Sequence, residues 1–442
     1  MSYRRQEITK GIDWALLWLW ILLCAVGVMA IFAVTFKEGD PFIQTLLGFK
    51  TDYSKQFYFW GVASLFGIFI LLTDSKFFAA TANLWYLFGI LLLLLVFPFG
   101  SNVRGTASII KLGGFQFQPA EFCKICVCLA LAKYLSQPHR EFLKPKSQVY
   151  AAIIVLIPAI FSVMQSETGL ALVYFSFFIV MYREGLSSSV LIIAFAIAVL
   201  VVSTLLIEKN TLAFILTGLA LATIYFLRRQ VKKKKALMFA VLFIWLICVG
   251  VQRFAVPFIF KNILKPHQVE RIFSTIGKDV PSEYFSESNA IATRKTDVHY
   301  NVKQSKIAIG SGGFWGKGLL KSTQTRNDFV PEQRTDFIFC TIGEGFGFVG
   351  SFILITLYTL LLFRIITVAE RQRSVFSRTY GYGVAAVFFF HISINLAMTV
   401  GLAPVIGIPL PFISYGGTSL LTNSILLFIL IRLDVDRQMG LR

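Results

Sequence analysis

Apolar runs close to the ~20 residues a helix needs to cross a bilayer follow one another through nearly the whole chain. They fall at 14–36, 56–73, 83–99, 119–135, 150–165, 169–182, 188–207, 211–227, 236–257, 346–363, 380–401 and 414–431. Few folds are open to such a chain. Within lipid each backbone N–H and C=O must be satisfied inside its own segment, which leaves a bundle of helices. The pattern predicts an all-α, polytopic membrane bundle of about 12 transmembrane helices, a single integral membrane domain over 1–442 with one large loop at 258–345. The even number of spans puts both termini on one side. The first run is too long for a signal-peptide core and no small-residue cleavage site follows it, so it is expected to stay as an anchor.

Lys and Arg outnumber Asp and Glu by 42 to 23, a formal net charge of +19. In a soluble protein that excess points to nucleic acid. Here no basic stripe is interleaved with stacking aromatics outside the spans, and nucleic acid is not an expected partner. The positive-inside rule accounts for the charge instead. With Arg4, Arg5 and Lys10 cytoplasmic, strict alternation also puts 133–146, Arg183, the 228–235 run, 364–378 and a tail with Arg432, Arg437 and Arg442 inside. Loop 258–345 then lies outside. The 228–235 run also suits anionic membrane lipid, although topology alone explains it. Six cysteines are scattered through or beside apolar runs. Cys123 and Cys126 have CxxC spacing but no second pair, and they read as small free thiols filling helix contacts.

Polar residues are costly in lipid, so where they gather they mark the handling of a ligand. The densest gathering is 304–350. Its glycines (Gly310, Gly312, Gly313, Gly316, Gly318) accompany Ser305, Ser311 and Lys317. A P-loop does not fit, since Gly318 stands where Ser or Thr is required. Such glycines let a backbone approach a ligand and offer amides to phosphate; a structural turn explains them too. The 258–345 loop holds twelve basic residues, which suits a bulky anionic ligand or simple solvation. Asp336, at the edge of a span, is a candidate general base or a helix-start residue. Glu121 and Lys124 share one helix face, close enough to pair and turned toward the bundle. Glu167 and Glu344 sit at span ends, as caps or solvated groups. In 401–419, Pro404, Pro409 and Pro411 bar a regular helix, and an ordered re-entrant loop on the outer face is expected.

These residues resemble the SEDS family (shape, elongation, division and sporulation), its RodA branch most closely. The resemblance rests on LGGFQFQPAEFCK at 112–124, QSETGLALV at 165–173 and LKPHQVERI at 264–272. It continues with QSKIAIGSGGFWGKG at 304–318, FVPEQRTDFIFCTIGEGFGFVG at 329–350 and NLAMTVGLAPVIGIPLPFISYGG at 395–417. It implies a multi-pass inner-membrane glycosyltransferase that polymerises lipid II into peptidoglycan strands for elongation and cell shape, releasing undecaprenyl diphosphate. It implies a class B penicillin-binding protein as transpeptidase partner. The family's catalytic loop aspartate falls on Asp336, and the Glu and Lys of its QPSEFAK motif on Glu121 and Lys124. With these, Lys317, Arg334, Gln304 and Ser305 are expected to bind substrate; no cofactor is certain, and a divalent cation on the diphosphate stays open. Three departures stand out: Arg334 replaces the usual His, Glu167 the usual Asp, and Ser108-Ile109 an Arg-Trp pair. Members have about ten spans, whereas 188–257 reads here as three where one is usual. Two other readings are a flippase or transporter of lipid-linked precursors, which more often shows inverted repeats, and a non-catalytic scaffold of the elongation machinery.

Overall fold

The computed structural model describes residues 11–36, 42–103, 106–112, 115–137, 142–263, 269, 273 and 298–439. Arg4, Arg5, Lys10, Arg442, most of the 264–272 motif and the loop cations Lys265, Arg271, Lys278, Arg294 and Lys295 lie outside the described residues. Two compact units emerge, one from 1–186 with 301–442 and the other from 187–300.

Ten of the described helices are long and apolar enough to cross a membrane. In the first unit these include α1 (Trp14–Thr35), α3 (Asp52–Leu72), after the short α2 (Phe42–Leu47), and α4 (Ser75–Phe99). A small antiparallel sheet comes next, β1 (Ser101–Val103), β2 (Thr106–Leu112) and β3 (Phe115–Phe117), with Ile110 opposite Phe117 and Leu112 opposite Phe115. It stands beside an otherwise helical fold; β1 and β3 have three residues each, and the adjacent Ile109 and Ile110 interrupt the alternation of β2. Beyond it lie α5 (Pro119–Leu135), α6 (Pro145–Met164), α7 (Thr168–Tyr174) and α8 (Phe177–Arg183). Two of the twelve expected runs are not among the ten long helices: α5 has 17 residues, and 169–182 is broken into two pieces of 7.

The second unit holds α9 (Ser188–Leu206), α10 (Lys209–Phe226), the short α11 (Arg228–Lys233) and α12 (Lys235–Gly250). Chain 251–263 continues α12 with π-type turns. Leu205, Val256, Phe260, Val269 and Phe273 form its small core. Most other apolar side chains of α9, α10 and α12 point outward, as a surface bathed in acyl chains allows.

The chain then enters α13 (Val298–Ser311), α14 (Ile338–Glu370), α15 (Val375–Thr399) and α16 (Gly417–Met439). α14 begins eight residues before the apolar run that announced it. Its first turns carry Thr341, Gly343, Glu344 and Gly345, too polar for a span in lipid but buried here against protein. Gly347, at φ 63°, kinks the helix where the apolar stretch begins. α16 is the most enclosed span, 89% buried. Thr418, Thr422, Asn423 and Ser424 are buried on it; Trp20 donates its indole N–H to Ser424 Oγ at 2.9 Å. Polar groups survive at membrane depth when other helices, not lipid, surround them.

Candidate functional site

The glycine-rich segment after α13 lies backbone to backbone against the kinked start of α14. Lys317 and Gly318 donate their amides to the Glu344 and Gly345 carbonyls (3.0 and 2.9 Å), and Phe348 returns its amide to Gly313 O at 2.9 Å. This contact requires glycine. A Cβ on Gly312 would stand 1.9 Å from Gly343 O, and one on Gly316 2.2 Å from Gly345 O, with Gly316 also at φ 80°. The glycines thus serve packing between two chain segments.

Glu344 organises the loop between this contact and α14. Its fully buried carboxylate accepts from the amides of Thr323, Gln324 and Thr325 (2.8–2.9 Å) and from the Thr323 and Thr325 hydroxyls (3.2 and 2.8 Å). Lys317 Nζ closes the nest at 2.8 Å from Oε1 and donates to Thr323 Oγ1 at 2.9 Å. Lys317, expected among the substrate-binding residues, is therefore engaged with the loop, and its side chain keeps 28% exposure.

Asp336 closes this loop, half-buried, with its backbone and its neighbours' pinned by the last helices. Asn395 of α15 donates to Asp336 O at 2.8 Å and to Ile408 O at 2.7 Å. Ser414 Oγ donates to Thr335 O, and the Tyr415 amide to Arg334 O at 2.8 Å. The carboxylate faces loop 401–416: Asp336 Oδ2 lies 3.4 Å from where a Cβ on Gly407 would stand. The expected ordered, non-helical loop is thus the wall against which Asp336 is set. Arg334 pairs with Asp52 at 2.7 Å and with Asp328 at 3.5 Å. Burial, and next the Asp52 charge, push the Tyr415 hydroxyl up to about 12 against the pull of Arg334, so it is a proton donor at neutral pH.

Glu121 and Lys124 form the expected pair at 2.7 Å, both fully enclosed. The sequence reading missed their third member, His391 of α15, whose Nε2 lies 2.8 Å from Lys124 Nζ. Its Nδ1 is 3.1 Å from Pro409 O. A carbonyl can only accept, so Nδ1 donates there and Nε2 accepts from the ammonium. Thr422 of α16 donates to Glu121 Oε2 at 3.3 Å. His391 and Asn395, four residues apart, share one face of α15. One reaches the buried pair and the other the Asp336 backbone, and both hold loop 401–416. The available signal was two polar residues one turn apart within an apolar run.

Ser305 is buried and donates to Thr399 O at 2.9 Å, tying α13 to the end of α15, with half-buried Gln304 beside it. Glu167 is bonded to Ser108. Asp336, Arg334 and the 401–416 loop meet, while Glu121 and Lys124 join them through α15; Lys317 and Ser305 serve the loop's own architecture. The six cysteines are free thiols, and five are buried. Among the described residues no group of three or more His, Cys, Asp or Glu is placed to hold a metal ion.

The family model for cell cycle proteins of the FtsW, RodA and SpoVE kind matches residues 13–217 and 215–439. Among curated relatives, the peptidoglycan glycosyltransferase RodA of Treponema pallidum is 29% identical over 438 residues, covering 93% of this chain and 95% of that protein. The peptidoglycan glycosyltransferase MrdB of Escherichia coli K12 is 30% identical over 339 residues, 76% of this chain and 73% of MrdB. In fold, the chain is similar to the crystal structure of Thermus thermophilus RodA, with a TM-score of 0.57 and 22% identity over 96% of this chain and 97% of that one. A chain from a structure of a peptidoglycan synthase complex that coordinates polymerization and crosslinking gives a TM-score of 0.65, also at 22% identity, over 96% and 98%.

Proposed function

Because the chain belongs to the FtsW, RodA and SpoVE family of cell cycle proteins, we infer from its site how it works as a peptidoglycan glycosyltransferase. It is a multi-pass membrane protein that polymerises lipid II into glycan strands for cell-wall elongation and cell shape. In this reading both termini are cytoplasmic, loop 258–345 lies outside, and a class B penicillin-binding protein cross-links the product.

Asp336 is the general base. The observation that carries this is its setting: the surrounding backbone is fixed from α15 and from loop 401–416, so the carboxylate is held on a rigid frame. It takes the proton from an acceptor sugar hydroxyl as that oxygen bonds to the anomeric carbon of the second lipid-linked disaccharide. The bond from that carbon to the diphosphate breaks, and undecaprenyl diphosphate leaves with the electron pair. The developing charge needs cations. Arg334 and Lys317 have side chains 38% and 28% exposed and can turn remaining N–H groups to the diphosphate. Lys124, fully enclosed, instead holds the frame from within through His391 and Glu121.

Purified protein supplied with lipid II, with and without the transpeptidase, tests this. Glycan polymer from wild type and almost none from Asp336→Asn is the expected result. Lipid II moved across a bilayer with no polymer made would replace polymerisation by transport.

A further inference from the structure

The turn between α10 and α12 carries a run of cations that no carboxylate among the described residues pairs. Arg228, Arg229, Lys232, Lys233, Lys234 and Lys235 put six cations into eight residues, and all six side chains are exposed. The sequence has no acidic residue between Glu208 and Glu270, and among the described residues none of the six is paired with a carboxylate. Orientation in the membrane requires an excess of positive charge on one side, but it does not require that the charge be left unneutralised on a shaped support.

The support is specific. α10 ends at Phe226, α11 lays Arg228–Lys233 down as one short turn of helix, and the backbone turns again at Lys234. Trp245 of α12 donates its indole N–H to Thr217 Oγ1 of α10 at 3.2 Å, bracing the two long helices below the turn. The Arg228 guanidinium lies 5.0 Å above the Tyr225 ring, so its direction is set. Beneath the cations, Phe226 and Phe239 are 84% and 64% exposed. Within a bilayer acyl chains cover such a surface, and the headgroups of those same lipids lie at the height of the turn. Guanidinium and ammonium groups there meet phosphate oxygens without any long-range search.

We propose that the 228–235 turn is a binding site for anionic phospholipid headgroups of the adjacent leaflet. Lipid phosphates replace the missing carboxylates, and each cation near an anionic surface raises the preference about fivefold at low ionic strength.

The full-length protein in phosphatidylcholine nanodiscs, with spin-labelled phosphatidylglycerol or spin-labelled phosphatidylcholine added at trace level, provides the test. The measured quantity is the fraction of each label immobilised at the protein. Wild type is expected to prefer phosphatidylglycerol at least fivefold, and the preference should shrink as salt screens the charges. The double variant Lys232→Gln/Lys234→Gln keeps four cations to hold the orientation, checked by labelling from either side, and should lower the preference by at least half while retaining some of it. Lys232→Arg/Lys234→Arg should keep it. Equal immobilisation of both labels by wild type, or an unchanged preference in the glutamine variant, overturns the proposal. So does an RNA oligonucleotide retained through the same lysines in the absence of any phosphatidylglycerol preference.

Discussion

Asp336 is secured through its backbone carbonyl by Asn395 and through its neighbours by Ser414 and Tyr415. Its charge can therefore be removed with these contacts in place. Asp336→Asn should insert and fold normally and polymerise lipid II about 100- to 10,000-fold more slowly; wild-type polymer yield from that variant would end the assignment. Glu121 behaves differently. Removing it leaves the Lys124 ammonium in the core with His391 as its one partner among the described residues, at a cost of about 3 kcal/mol. Glu121→Ala should thus lower the yield of folded protein as well as activity, read by size-exclusion profile and thermal melting in detergent. The pair itself was legible in the sequence, since three residues on one helix is a local relation. His391 was not, because it is 267 residues away; its one-turn spacing from Asn395 marks a polar face of α15 but does not say what that face meets.

At the scale of single elements, the loop after α13 depends on one carboxylate and two glycines. Glu344 gathers the amides of 323–325 with Lys317. Glu344→Ala should release that loop, read as faster hydrogen exchange over 317–327, with α14 beyond Gly347 still protected. Gly316→Ala should fail more broadly, because the added methyl meets backbone and not a movable side chain. Sharply reduced activity and faster exchange on both sides of the contact are expected; normal exchange at both would contradict the packing described. Most long helices were legible from apolar length alone, since lipid makes length and hydropathy the governing constraints. The start of α14 and the three short strands were not. The first is polar sequence made helical by protein burial; β1 and β3 have only three residues each, and in β2 the adjacent Ile109 and Ile110 break the alternation that would mark a strand.

For the whole molecule, a charged cluster joins the start of α1 to the ends of α14 and α16. Asp13 caps α1 by accepting the Leu16 amide and pairs with Arg364 (2.8 Å) and Arg371 (2.7 Å); Arg371 also bonds Asp434. Burial alone would raise the Asp13 carboxyl, but hydrogen bonds and the two arginines bring it below its ordinary 3.8. A carboxyl lowered by folding stabilises above its unfolded value and loses that contribution as pH falls through the folded one. Stability should be flat near neutral pH and fall below about pH 4, and Asp13→Asn should flatten that acid limb while lowering the neutral plateau. An acid limb identical in the variant would assign it to other groups. Topology is tested at the same scale: reporters fused at Lys234 and Asn327 should lie on opposite sides of the membrane, and a shared side would break the alternation. Basic clusters make that alternation readable from sequence, whereas the division at 187–300 depends on which helices touch, which hydropathy does not encode.

His391 and Asn395 lie on one uninterrupted helix, four residues and so about 6 Å apart along its axis. α15 carries both anchors, and through them one helix bears on loop 401–416, the Asp336 carbonyl and the Lys124 ammonium that α5 supplies. A change in the pitch or position of that single helix would be felt at both places at once, through hydrogen bonds that end on one rod.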